Sequence, residues 1–248
     1  MTRVVGSCMS TRQFKPSFAA TLVTLALVPC LIGLGRWQLR RADEKSALLN
    51  IFRARSAAPA LELPLPALDS PALEWRHVKG LGHFLTPNVL LDNRVRNGVA
   101  GYEIYTPFEL NNGAQLLVAR GYLPAGVDRE HWPIINSPSA EQILWGYLGL
   151  PPWVGITLQG HANREKLNHE LWRVQSLDIQ ALNTDGNLHL VRYVLYLDPA
   201  APGGYERSWP VPTIDVGKHT AYAVQWFAMA AALILLYLKI SFKSVPPT

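Results

Sequence analysis

Eighteen consecutive residues near the C-terminus, Ala221 to Leu238, carry no charge and a single strongly polar side chain, Gln225. At about 1.5 Å rise per residue, a helix of that length comes close to crossing a hydrocarbon layer about 30 Å thick. Trp226 and the flanking Lys218 and Lys239 suit its two boundaries. A second apolar run, Phe18 to Leu34, lies near the N-terminus. Because apolar residues are concentrated in these two places, the mean hydropathy of the whole chain is only +0.07. A basic tail before the first run would also suit a signal peptide, but the run is long, and Gly35, Arg36 and Trp37 after it lack the small-residue pattern of a cleavage site. Both runs are therefore read as spans. The expected division is a basic tail (1–17), a first span (18–35), an external domain (36–217), a second span (218–238) and a second basic tail (239–248).

Charge orients this arrangement. The tails carry Arg3, Arg12, Lys15, Lys239 and Lys243 and no acid, while all 18 acidic residues fall between Asp43 and Asp215. Positive tails stay in the cytoplasm, which puts both termini inside and the large domain outside. Arg36, Arg40, Arg41 and Lys45 argue the other way, but they open a loop too long for that rule to hold firmly. The formal net charge of +5 thus belongs to the tails, and a pI near 9.3 is no argument for a nucleic-acid partner. Cys8 and Cys30 are the only cysteines, one in a tail and one in a span, so the external domain must be held by its own core.

After the first span the helical spacing runs on through Trp37, Leu39, Leu48, Leu49 and Phe52, and a Pro-rich connection follows from Pro59 to Pro71. From Trp75 the period changes to two. Short β-branched or aromatic runs alternate with turn residues such as Asn97-Gly98 and Asn111-Asn112-Gly113, and His189 to Pro199 reads as a late strand. The second half of the stretch from His161 to Asn183 is expected to be helical, with Ser176 capping a short helix through Leu182. The fold class is a membrane protein with two transmembrane helices flanking a mainly antiparallel β (α+β) external domain, its sheet curled towards a barrel. Close approach of the spans is expected on the small residues Ala26, Gly33, Ala228 and Ala232. Gly121 is expected to serve backbone geometry, and Arg120 beside it to pair with an acid.

No Gly-x-Ser-x-Gly elbow, phosphate-binding loop or His-Glu-x-x-His is present, which lowers the expectation of an enzyme. His77, His83, His131, His161, His169 and His189 are scattered, and each is read as a surface or hydrogen-bonded histidine. His219 differs because it opens the second span. With Tyr222, Ala223, Trp226 and Ala230 it forms one helical stripe that could meet another helix or a flat apolar ligand. Two readings stand for it, an interface anchor and a metal ligand. Topology brings the exit of the first span to the same boundary, so Arg36, Trp37, Arg40 and Arg41 lie near its level. Their guanidinium groups have two readings as well, snorkelling to lipid headgroups or holding carboxylates such as the propionates of a haem.

Gly35, Trp37, Gln38, Arg40 and Lys45; then Gly98, Gly101, Tyr102, Thr106-Pro107, Gly113, Val118, Arg120-Gly121-Tyr122 and Pro124; and finally Lys218-His219, Tyr222-Ala223 and Gln225-Trp226-Phe227 together resemble the motifs of the Surfeit-locus (Shy-type) family of cytochrome oxidase assembly proteins. Trp172 and Asp178 match a Trp-x(5)-Asp spacing in the weakest stretch, about 153–187. The resemblance implies a non-enzymatic assembly factor for a haem-copper oxidase, cytochrome c oxidase in particular. It implies haem a as cofactor, with His219 as the iron ligand and Tyr222, Trp226, Arg36, Trp37 and Arg40 around it. Implied partners are the catalytic subunit of the oxidase, the haem a synthesis machinery and membrane lipid. The implied location is the bacterial inner membrane, as a multi-pass protein with a periplasmic domain. A scaffold that binds an oxidase subunit and holds no cofactor is the competing class.

Overall fold

The computed structural model describes residues 11–126, 132–152, 164–209 and 215–245. In chain order its elements begin with β1 (Thr11–Phe14), α1 (Phe18–Ala57), β2 (Leu61–Glu62), β3 (His77–Phe84), β4 (Asn88–Arg96), β5 (Val99–Leu110) and β6 (Gln115–Pro124). There follow β7 (Gln142–Gly149), β8 (Arg164–Lys166), β9 (Leu171–Val174), α2 (Ile179–Gly186), β10 (Leu190–Leu197), α3 (Val216–Ser241) and β11 (Phe242–Val245). The chain divides into two compact units, residues 1–50 with 212–248 and residues 51–211.

In the first unit α1 and α3 are both long and apolar enough to cross a membrane. The 40 residues of α1 extend about 60 Å, roughly twice what a span requires, so the helix continues well past the apolar run as its spacing foretold. The less exposed positions of α1 include Thr21, Thr24, Val28, Leu31, Gly35, Gln38 and Ala42, and those of α3 include His219, Ala223, Trp226, Ala230, Leu233 and Tyr237. Both sets step by alternating threes and fours, the repeat that keeps one seam of each helix turned to a partner. Ala223 and Ala230 are buried, and a Cβ on Gly35 would lie 2.6 Å from Phe227 Cε1, so the ring occupies the space that the glycine leaves. Thr21 Oγ1 and Tyr237 Oη share a hydrogen bond of 2.9 Å, and β1 pairs antiparallel with β11. The expected small-residue face is not the one used. Ala26, Gly33, Ala228 and Ala232 are exposed, and a Cβ on Gly33 would meet nothing within 4 Å. In apolar surroundings a small residue is as comfortable facing lipid as facing protein, so residue size alone does not choose the face.

In the second unit nine strands form one sheet in the order β2-β3-β7-β10-β6-β5-β4-β9-β8, and an extra β3–β5 pairing at Gly82–Phe84 closes β3, β7, β10, β6 and β5 into a small barrel. Leu116 and Val118 of β6 point inward to Val78, Phe108, Leu144 and Leu195, while the alternate Leu117 and Ala119 face Tyr105, Trp172, Leu182 and Val194 under α2 and β9. That two-sided burial explains why β6 reads as an almost continuous apolar run. Among the described residues the sheet has six antiparallel and three parallel pairings, the parallel ones being β2 with β3, β4 with β9, and β10 with β6. Asn97 and Gly98 have φ of 51° and 78° between β4 and β5, the doubly positive pair that a tight twisted hairpin demands.

Three local expectations are corrected. The second half of the stretch from His161 to Asn183 is helical only from Ile179, because Trp172–Val174 at its start belongs to β9, which pairs with β4. The helix starts at Ile179, and its cap is Asp178, which accepts from the Ala181 amide at 3.1 Å; Ser176 is not the cap. The Pro-rich stretch is not a bare connection, since Leu63, Leu68 and Leu73 are buried in the barrel core and Leu61–Glu62 adds a strand to its edge.

Candidate functional site

His219 sits in the first turn of α3, just after Asp215 caps the helix by accepting from the Lys218 amide at 3.0 Å. Its ring is half-buried in the seam, and His219 Nδ1 lies 2.8 Å from Gln38 Oε1 of α1. A carbonyl oxygen can only accept, so Nδ1 donates, and the tautomer that matches this contact carries its lone pair on Nε2. Among the described residues Nε2 has no hydrogen-bond partner. Ala223 and Trp226 continue the inward row below the ring, whereas Tyr222 turns outward and is 43% exposed. A neutral imidazole with one nitrogen engaged and the other open is a suitable axial ligand for haem iron, so this donor fits the cofactor that the sequence suggested.

The arginines do not join it. Gln38 is on the seam, and Arg36 and Arg40 lie two residues to either side, which on an α-helix turns each about 160° away from the Gln38 direction. Both are exposed, with no hydrogen bond or ion pair to any described residue. The structure does not bring either guanidinium against the imidazole. Trp37 is 48% exposed on an intermediate face, and Arg41, closer to the seam direction, donates to Glu44 at 2.7 Å. Gln38 itself was visible to sequence reading only as a motif letter, because its partner is 181 positions away.

Elsewhere, His77, His83, His169 and His189 stand apart, and among the described residues no three His, Cys, Asp or Glu side chains gather into a metal-holding group. His131, His161, Arg3 and Cys8 lie outside the described residues. Arg120 is 2% exposed. It donates to Gly203 O at 2.6 Å, Asn136 O at 2.6 Å, Ser137 Oγ at 2.7 Å and Thr106 Oγ1 at 3.3 Å, between the rings of Phe84 and Tyr205. The expected acid partner is replaced by this neutral cage among the described residues, and burial pulls the guanidinium below the ordinary arginine pKa. Gly121 follows at φ +126°, where a Cβ would stand 2.7 Å from Glu206 O. Trp172 is buried with Lys166 Nζ 4.7 Å from its ring centre, and Asp178 caps α2, so both have structural work.

A family model described as the SURF1 family matches residues 25–231, which takes in the whole nine-stranded sheet and most of α1 and α3. The chain belongs to the SURF1 family. It is 27% identical over 229 residues to a SURF1-like protein of Rickettsia felis, an alignment covering 87% of this chain and 94% of the relative. It is 26% identical over 233 residues to Surfeit locus protein 1 of Rattus norvegicus, covering 84% and 71%. It is 27% identical over 224 residues to an uncharacterised SURF1-like protein of Mycobacterium bovis, covering 85% and 78%. The matched segment includes Gly35, Gln38 and His219.

Proposed function

We propose that this SURF1-family chain is a non-enzymatic assembly factor of a haem-copper terminal oxidase, holding haem a through His219 and aiding its insertion into the catalytic subunit. The observation that carries the reading is the His219 ring, half-buried between two membrane-length helices, with Nδ1 2.8 Å from Gln38 Oε1 and Nε2 open. Haem is amphiphilic, and a ligand in the first turn of a span lets the macrocycle lie in lipid while its carboxylates stay at the boundary. Bound haem a would bring its iron and a redox-active, light-absorbing ring; the chain brings the ligand, the apolar flank of Ala223 and Trp226, and the helix pair that places them. The outward Tyr222 and Trp37 suit the interface on either side of that ligand. The tails' positive charge supports a bacterial inner-membrane location with both termini cytoplasmic and the sheet domain periplasmic, where it would meet the oxidase subunit and the machinery that makes haem a.

The test is to purify the protein from cells that make haem a. A haem Soret band that survives detergent washing is the expected result. Colourless protein that still co-purifies with oxidase subunits would replace this reading with a scaffold that carries no cofactor.

A further inference from the structure

We infer that Gln38 is the positioning residue for His219: its side-chain carbonyl takes the Nδ1 proton, fixes the ring in one tautomer and leaves Nε2 as the donor atom. The inference deepens the proposed haem site and rests on that reading for its functional meaning, although the tautomer itself can be read without haem.

The geometry carries it. The 2.8 Å contact joins side chains 181 residues apart, so it exists only when the two helices are paired. Gln38 stands in the seam between buried Gly35 and buried Ala42, where small neighbours let α3 approach and Phe227 fills the space over Gly35. A ring left to itself samples both tautomers and rotates about its side-chain bonds. A ring tied at Nδ1 presents Nε2 in one direction, which is what a metal ligand requires of its outer partner. The partner is an amide rather than a carboxylate. It supplies the acceptor without adding a negative charge, which would be costly at the edge of a hydrocarbon layer. Helix pairing therefore becomes a condition of ligand readiness, and a chain whose spans are apart would present an unoriented imidazole.

The experiment uses full-length, haem-free protein in detergent micelles, labelled with ¹⁵N-histidine, with the His219 signals identified by their loss in His219→Ala. Ring ¹⁵N shifts separate a protonated nitrogen from one carrying a lone pair. The expected result is protonated Nδ1 and bare Nε2 in the wild type, retention of that pattern in Gln38→Glu, and averaging of the two tautomers in Gln38→Leu. A wild-type ring protonated mainly at Nε2 overturns the inference whether or not Gln38→Leu folds, and so does a Gln38→Leu ring that keeps the wild-type pattern. A second arm reads the haem-loaded protein by resonance Raman: the ferrous iron–histidine stretch should rise in Gln38→Glu and fall in Gln38→Leu, and equal frequencies in all three would overturn the inference. The two levels fail separately. Haem retained by His219→Ala removes the haem reading and leaves the tautomer standing, whereas haem lost in His219→Ala with Nε2 protonated in the wild type keeps the haem reading and removes the role of Gln38.

Discussion

Arg120 shows what one buried side chain does when its surroundings are neutral. Its guanidinium ties β6 to the Asn136-Ser137 segment and to Gly203, while Ser137 and Thr106 both donate onward to Asn88 Oδ1, at 2.8 and 2.7 Å. Removing it leaves several buried acceptors without donors, each costing about 1–3 kcal/mol. Arg120→Leu is thus predicted to destabilise the protein by about 3–5 kcal/mol and to lower its abundance. Chemical denaturation of the full chain checks the first figure; a loss below about 1 kcal/mol would mean that water replaces the arginine easily. Haem retention per folded molecule should be unchanged. From sequence, the Arg120-Gly121 step announced a special backbone but not the cage, because the atoms that receive the arginine come from loops 16 and 83 residues away.

Among elements, the seam between α1 and α3 decides most. Gly35→Leu should push Phe227 aside and part the helices, whereas Ala228→Leu, on an exposed face, should do nothing. A thiol-to-thiol crosslink with a reagent about 10 Å long, between cysteines placed at Thr21 and Tyr237, reports the pairing, because the contact there runs through the long tyrosine side chain and a direct disulfide would not reach. It should form in the Ala228→Leu background and be lost or greatly slowed in the Gly35→Leu background, and the opposite pattern would show that the seam has been assigned to the wrong face. The helices and most strands were legible because hydrophobic runs, period-two alternation and Asn-Gly turns are local signals. The helix faces were not, since every side of a span is apolar. β8 and β9 were missed for a different reason: at 3 and 4 residues they are too short to show a period-two signal, and they become strands only through the pairing of β9 with β4 and of β8 with β9.

For the molecule as a whole, the barrel unit predicts a response to alkali. Burial pushes Tyr147 up to about 12, and Tyr105 and Tyr196 are also raised by desolvation. A folded-state pKa above the ordinary value near 10 means that the stability contributed by these groups is complete below pH 10 and is lost as pH rises towards 12. Tyrosinate absorbance should lag behind that of free tyrosine and then rise together with unfolding, and smooth titration of all the tyrosines near pH 10 in a folded protein would contradict this burial. The candidate site was legible in part. His219 stood out by its place at the mouth of a span, yet Gln38 was hidden by sequence distance and Arg36 and Arg40 were put beside it by topology without regard to helix phase. The central claim is that one imidazole at the mouth of the helix pair holds haem a. The most direct measurement compares absorption spectra of wild-type and His219→Ala protein, purified at equal abundance from cells that make haem a. The account predicts a retained Soret band in the wild type and its loss in the variant; an unaltered band in His219→Ala would contradict it.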